Sequence, residues 1–352
     1  MGKTILEVTD VTIQYDTPGE AVTAVSDATL ELEDGEYFGL IGESGCGKST
    51  LAKAILKGLD PNGEVQSGSI KYKGTELTEL SEDEMNEQIR WKEVAWIPQS
   101  SMNSLDPLLK IRDHAMEVAE AHTDWSEEKT VEEFREVLEI VGLSADRIDD
   151  YPHQFSGGMQ QRVVIALSLF LRPDILIADE PTTALDVIMQ DQIFRYLIEI
   201  KEKLDMALML ITHDIALVFQ NCDRLAVMHA GQVAEKASVK DFYDAPHHPY
   251  SILLQESLPD PSSRKKRLES IEGKPPRLQG EIDHCTFRDR CPWVVEECHS
   301  SAPPLRGVDG DWDNQVACFR RNEVRDLFRE RNNRTQSPPD QSRTGGVSDG
   351  SS

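Results

Sequence analysis

Tyr37-Phe-Gly-Leu-Ile-Gly42-Glu-Ser-Gly-Cys-Gly-Lys-Ser49 is the stretch on which the fold turns. It opens as a short apolar run of the kind buried strands have, passes into the spacing G-x-x-x-x-G-K-S, and is followed by a helical pattern from Thr50 towards Leu59. Glycines between a strand and a helix let the backbone close into a concave nest whose N–H groups face phosphate oxygens, and the helix adds its positive end. Gly42, Glu43, Ser44, Gly45, Cys46, Gly47, Lys48, Ser49 and Thr50 are therefore the expected phosphate cradle. Lys48 would reach the β and γ phosphates, and the Ser49 hydroxyl would go to Mg²⁺.

Outward from this loop, Ile5 to Tyr15 and Val25 to Glu33 alternate apolar with polar residues, as half-exposed antiparallel strands do. Val94 to Ile97, Ile175 to Ala178 and Leu208 to Ile211 are compact apolar runs that suit buried parallel strands. Helical patterns lie between them. Ile111 to Val141 is rich in Glu, with Val131, Phe134, Leu138 and Val141 spaced for one apolar face, and reads as an inserted helical layer. The alternation predicts an α/β fold around a parallel sheet. Asp179 and Glu180 close the Ile175 run, where Asp179 could hold Mg²⁺, through water, and Glu180 could polarise an attacking water. Adjacent acids at a strand end are also a common solvated turn.

The 352 residues carry 63 Asp plus Glu against 37 Lys plus Arg, a net charge of −26. A duplex binder needs a basic face, so no nucleic-acid partner is expected, and the run Arg264-Lys-Lys-Arg267 reads as a solvated stretch of linker. So large an acidic excess strains a compact fold unless salt screens it, which points to adaptation to a salt-rich, halophilic cytoplasm. The start of the chain is too polar for a secretory segment, and the longest apolar stretch, Val163 to Leu171, is too short to span a bilayer. Composition divides the chain into a nucleotide-binding domain over 1–257, a linker and Cys-rich region over 258–331, and a disordered tail over 332–352.

Phe155-Ser-Gly-Gly-Met-Gln-Gln-Arg162 lies between the loop and the acid pair, and with it the sequence resembles the nucleotide-binding subunits of ABC transporters. Ser156 is also a good helix N-cap, and the helix after it offers free N–H groups to an anion. The resemblance implies a P-loop NTPase with a RecA-like sheet, an N-terminal antiparallel β subdomain, an α-helical subdomain inserted at about 100–172 and a small Cys-rich C-terminal region. It implies ATP sandwiched between two subunits, with Ser156, Gly157, Gly158 and Gln160 facing the γ-phosphate held by the other subunit. Gln99 matches the glutamine that contacts Mg²⁺ and water, His213 the histidine at the γ-phosphate, Asp186 the loop crossing the dimer seam, and Tyr15 the aromatic on adenine. In-line attack of water, with Glu180 as its polarising residue, is the implied chemistry.

Met102-Asn-Ser-Leu-Asp-Pro107, His247-His-Pro-Tyr-Ser-Ile-Leu-Leu254 and the spacing of Cys285, Cys291, Cys298 and Cys318 are similar to the branch that drives dipeptide, oligopeptide and nickel importers. That implies two transmembrane permeases, a second related ATPase or a second copy of this chain, an extracellular solute-binding protein, and a place on the cytoplasmic face of the membrane. Motors for nickel or sugars, and a soluble ATPase of repair or translation, are the alternatives. Without an export signal the cysteines should be reduced. Four thiolates in a region with little core suit Zn²⁺ or a [4Fe–4S] cluster, or stay unligated. No C-x₂-C occurs, which argues against a zinc ribbon, and the resemblance favours the cluster, with His284 and His299 as possible alternative ligands and a redox or metal sensor as a third reading. Cys222 is expected to be a core thiol.

Overall fold

A computed structural model of the chain describes residues 2–99, 104–182, 187–257, 271–276, 278–280 and 282–336. The alternating N-terminal segments form β1 (Thr4–Tyr15) and β2 (Val22–Glu33), which bury Leu6, Val8, Val11 and Ile13 on one and Ala28, Leu30 and Leu32 on the other. They pair antiparallel, and β4 (Gly63–Tyr72) and β5 (Thr75–Glu76) complete a four-stranded sheet ordered β2-β1-β4-β5.

The second sheet is built from β3 (Tyr37–Ile41), β6 (Val94–Ile97), β7 (Ile175–Asp179), β8 (Ala207–Thr212), β9 (Arg224–His229), β10 (Gln232–Ser238), β11 (Arg306–Val308) and β12 (Asp311–Val316). Its order is β11-β12-β10-β9-β3-β8-β7-β6. From β9 to β6 the strands run parallel and are covered on both faces, which is why their sequences are nearly continuous apolar runs. The carboxyl ends of β3, β6, β7 and β8 share one rim, and such a rim is where open α/β sheets hold ligands.

The expected helical insert comprises Ile111–His122 and Glu127–Ile140, packed on the helix Gly157–Leu169. Ser126 caps the second of these by accepting from the Lys129 amide. Phe134, Leu138 and Val141 are buried as the spacing predicts, and the Phe134 ring meets Phe170 edge-on at 5.1 Å. Cys222 is a core thiol.

The C-terminal region is stitched to the body more tightly than its composition suggests. Strand β12 pairs with β10 through Glu235 and Val316, so the Cys-rich segment extends the main sheet. Upstream of it, Gln279 bridges to Val22, the Thr23 amide donates to the Leu278 carbonyl at 3.1 Å, and Leu278 and Ile282 pack with Ala230. Apolar residues are too sparse around Val308 and Val316 for these strands to register in a Pro-rich, charged sequence. The last helix, Val324–Gln336, continues past Asn332, where composition alone places the start of a disordered tail; Val324 anchors it in the core and is fully buried. Residues 337–352, the basic run at Arg264 and Asp186, expected in the loop crossing the dimer seam, lie outside the described residues. Among the described residues no helix is long and apolar enough to cross a membrane.

Candidate functional site

The phosphate loop closes as its glycines allow. Gly42, Gly45 and Gly47 have φ of 155°, 80° and 102°, and a Cβ on Gly42 would stand 2.2 Å from the Met228 carbonyl oxygen. Gly47 sits at the N-cap of the helix Lys48–Ile55, so the first amides of that helix face the loop. Lys48 Nζ lies inside the curl, donating to the carbonyls of Gly42 (2.9 Å) and Glu43 (3.0 Å), with Cys46 Sγ at 3.6 Å. Cys46 turns beneath the loop, and burial pushes its thiol up, against the nearby ammonium of Lys48. Ser44 and Gly45 are exposed, and Ser49 and Thr50 are half-buried.

Across the rim, the Ser49 hydroxyl stands beside the Asp179 carboxylate. Burial, with the Glu180 charge beside it, pushes the Asp179 carboxyl up, and its Oδ1 is buried without any hydrogen-bond partner. An orphaned carboxylate oxygen next to a serine hydroxyl is a hard oxygen donor set, and it fits Mg²⁺. Glu180 adopts φ of 46°, a left-handed conformation costly for a residue with a side chain, and is held there as its amide donates to the Ile211 carbonyl at 2.8 Å. Gln99 Nε2 donates to Glu180 Oε2 at 2.7 Å, and His213 Nδ1 lies 2.9 Å from Glu180 Oε1. A carboxylate can only accept, so His213 carries its proton on Nδ1. Gln99, Asp179, Glu180 and His213, from three different strand ends, thus converge with Ser49 and Lys48.

The remaining expected residues lie elsewhere on the subunit. Ser156 stands at the N-cap of Gly157–Leu169 with extended backbone, but its exposed hydroxyl makes no capping bond. Gly157 is exposed beside it and Gly158 is buried. Gln160 donates to the carbonyls of Pro152 (2.8 Å) and Phe155 (3.3 Å), so in this subunit its amide braces the preceding turn. Tyr15 ends β1, paired with Val22 and Gly63, with its ring lying over Gly63.

Two residues with no assigned part in the sequence reading touch the loop. The Tyr250 hydroxyl accepts the Glu43 amide at 3.0 Å, and Arg290 makes a bidentate pair with the Glu43 carboxylate, both bonds at 2.7 Å. The signal for Tyr250 was the His-Pro-Tyr stretch, whereas Arg290 carried none. The four expected metal ligands come together as well. The Cys285 amide donates to the Cys298 carbonyl at 3.0 Å, and burial, then the neighbouring cysteines, push the thiols of Cys285 up to about 11 and of Cys291 and Cys318 to about 12. They do not form the closed ligand shell the sequence leads one to expect: among the described residues no three His, Cys, Asp or Glu side chains are set around one metal position. His284 pairs with Asp283 instead, and His299 is exposed.

Comparison with known proteins agrees with this layout. A family model described as ABC transporter matches residues 25–183, and one described as oligopeptide/dipeptide transporter, C-terminal region, matches 234–298. The oligopeptide transport ATP-binding protein OppD of Escherichia coli (strain K12) is 41% identical over 303 residues, covering 86% of this chain and 89% of that protein. The dipeptide transport ATP-binding protein DppD of Bacillus subtilis (strain 168) is 42% identical over 302 residues, covering 85% and 90%. A solved dimer of an ATP-binding cassette, in a post-hydrolysis state with ADP and Pi, superposes with a TM-score of 0.59 at 27% identity, over 67% of this chain and 99% of that one.

Proposed function

The chain belongs to the ATP-binding subunits of ABC transporters, in their oligopeptide and dipeptide branch, and from that premise we propose that it hydrolyses ATP at a shared dimer interface to drive import of di- or oligopeptides. The observation that carries the chemistry is the Glu180 carboxylate, gripped by Gln99 and His213 one residue beyond the orphaned Asp179. Glu180 orients and polarises the attacking water, and His213 and Gln99 fix its carboxylate in plane. Lys48 already lies within the loop and gains phosphate oxygens without leaving it. Ser49, Asp179 and Gln99 are the residues that would hold Mg²⁺, whose charge would offset that developing on the γ-phosphate. The start of Gly157–Leu169, with Ser156, Gly158 and Gln160, presents its amides to the nucleotide of a second ATPase subunit, and Tyr15 stacks on adenine; the resemblance assigns Asp186, outside the described residues, to the seam.

The subunit works at the cytoplasmic face of the membrane with two permeases, a second ATPase of the same kind and an external peptide-binding protein. An apolar cavity of about 430 Å³, lined by Trp91, Trp96, Pro98, Val118, Val164 and Leu167, opens between helical insert and core. Pro98 joins it to Gln99, so a permease segment seated there would act on the residue that holds Glu180. No observation favours a soluble role in repair or translation, or nickel or sugar as cargo. Replacing Glu180 by Gln should lower the hydrolysis rate by about 10²-fold or more while ATP still binds. Hydrolysis at the wild-type rate would sink the assignment.

For Cys285, Cys291, Cys298 and Cys318 the proposed occupant is a [4Fe–4S] cluster, with Zn²⁺ as the alternative. Support comes from the soft donors, two of them buried and two half-buried, since a bound metal would supply the positive counter-charge for the thiolates formed when the thiols deprotonate. Chain purified without oxygen should show broad visible absorbance bleached by dithionite. Zinc in elemental analysis, or neither metal, would overturn the cluster. The charge of −26 we read as adaptation to a salt-rich cytoplasm.

A further inference from the structure

Glu43 is the only acid within Gly42–Ser49, the loop that must receive a polyphosphate. An uncovered carboxylate at that position would repel phosphate through a partly desolvated site, where solvent screens poorly. Its field reaches the loop interior, since Glu43 adds to the upward push that burial exerts on Cys46.

The carboxylate is covered by Arg290, whose side chain is only 6% exposed. Both carboxylate oxygens take one guanidinium nitrogen each. The fork is fixed from every other side: Nε donates to the Glu272 carbonyl at 3.0 Å, Nη1 lies 3.3 Å from His229 Nε2, and the group stands 5.7 Å from the centre of the Phe287 ring. Guanidinium can only donate, so His229 accepts at Nε2, carries its proton on Nδ1 and donates to Thr286 Oγ1 at 3.1 Å. Burial supports a neutral ring, holding the His229 pKa at about 3. Phe287, fully buried against the rings of both His229 and Tyr250, anchors the short turn Arg288–Arg290 that presents the fork.

We propose that Arg290 is a positioning residue of the nucleotide site: it neutralises Glu43 and holds the phosphate loop ready, so that the C-terminal segment sets the affinity for ATP. The inference rests on the ATPase reading above. It differs from a merely structural brace in one respect, because removing the acid should cure the loss of the base.

The test is steady-state hydrolysis of Mg-ATP by the full chain as wild type, Arg290→Ala, Glu43→Gln and the double variant, each checked for its melting temperature. Arg290→Ala is expected to raise KM for ATP about tenfold with kcat little changed. Glu43→Gln alone leaves the guanidinium charge uncompensated beside the loop and should lower KM below the wild-type value, and the double variant should recover most of the loss. Arg290→Lys keeps the charge without the fork and should fall between. An unchanged KM in Arg290→Ala, or a double variant as poor as Arg290→Ala, overturns the proposal. Should Arg290→Ala fail to fold, Glu43→Gln decides alone, and a KM in it that is unchanged or raised refutes charge balance. A wild-type chain that binds no ATP would instead refute the ATPase reading.

Discussion

Gly47 shows how narrowly single residues are set. With φ of 102° and a Cβ position 2.4 Å from the Ala24 carbonyl oxygen, it has neither the backbone freedom nor the space for a side chain. Gly47→Ala should cost about 1 kcal/mol of stability or more and abolish ATP binding, read by thermal melting and nucleotide titration. The loop after Ile41 and the acid pair after Ala178 were legible because each follows an apolar strand run, whereas Gln99 and His213 were legible only through the resemblance to ABC subunits. Arg290 was not, because its partner lies far away in sequence and an arginine before a cysteine has no periodic signature. Gln160 was legible as part of a motif, yet its hydrogen bonds to Pro152 and Phe155 could not be read without the turn that brings those carbonyls to it.

At the scale of elements, the end of β9, the edge of β10 and the helix Pro249–Glu256 meet the Cys-rich segment around Phe287, burying ionisable groups there. Burial holds His229 and His248 down at about 3, from an ordinary 6.5, and pushes Glu235 up to about 7, from 4.5. Below pH 6.5 the unfolded chain protonates both imidazoles and the native one does not, so their stabilisation is lost as pH falls towards 3. Glu235 acts oppositely: from pH 4.5 to 7 the native state keeps a proton the unfolded chain has released, and stability declines as pH rises. Between pH 4.5 and 6.5 these three groups together give a net loss on acidification of about one proton, or about 1.4 kcal/mol per pH unit. Denaturant titrations across that window should show His248→Asn shallower than wild type by that slope; equal slopes would show that His248 charges in the native state. None of this junction was readable beforehand, since β11 and β12 are short and carry few apolar residues.

The whole molecule is governed by its charge. At −26, self-repulsion opposes compaction, and the melting temperature should climb between about 0.1 M and about 2 M KCl as screening tightens. A flat or falling profile would remove salt adaptation from the account. The layered α/β architecture and the inserted helices were legible from periodicity, which long apolar runs preserve. How the C-terminal segment joins the sheet depended on pairings between distant residues, which no local pattern encodes. That joining has a consequence in time. Glu43 and Arg290 are 247 residues apart, and at about 5–20 residues per second a ribosome takes roughly ten to fifty seconds to go from one to the other. During that interval the nascent chain has a phosphate loop whose acid is uncovered. On the proposal above, a newly made subunit gains its full hold on nucleotide only once synthesis has passed Arg290, so ATP capture waits on the C-terminal segment.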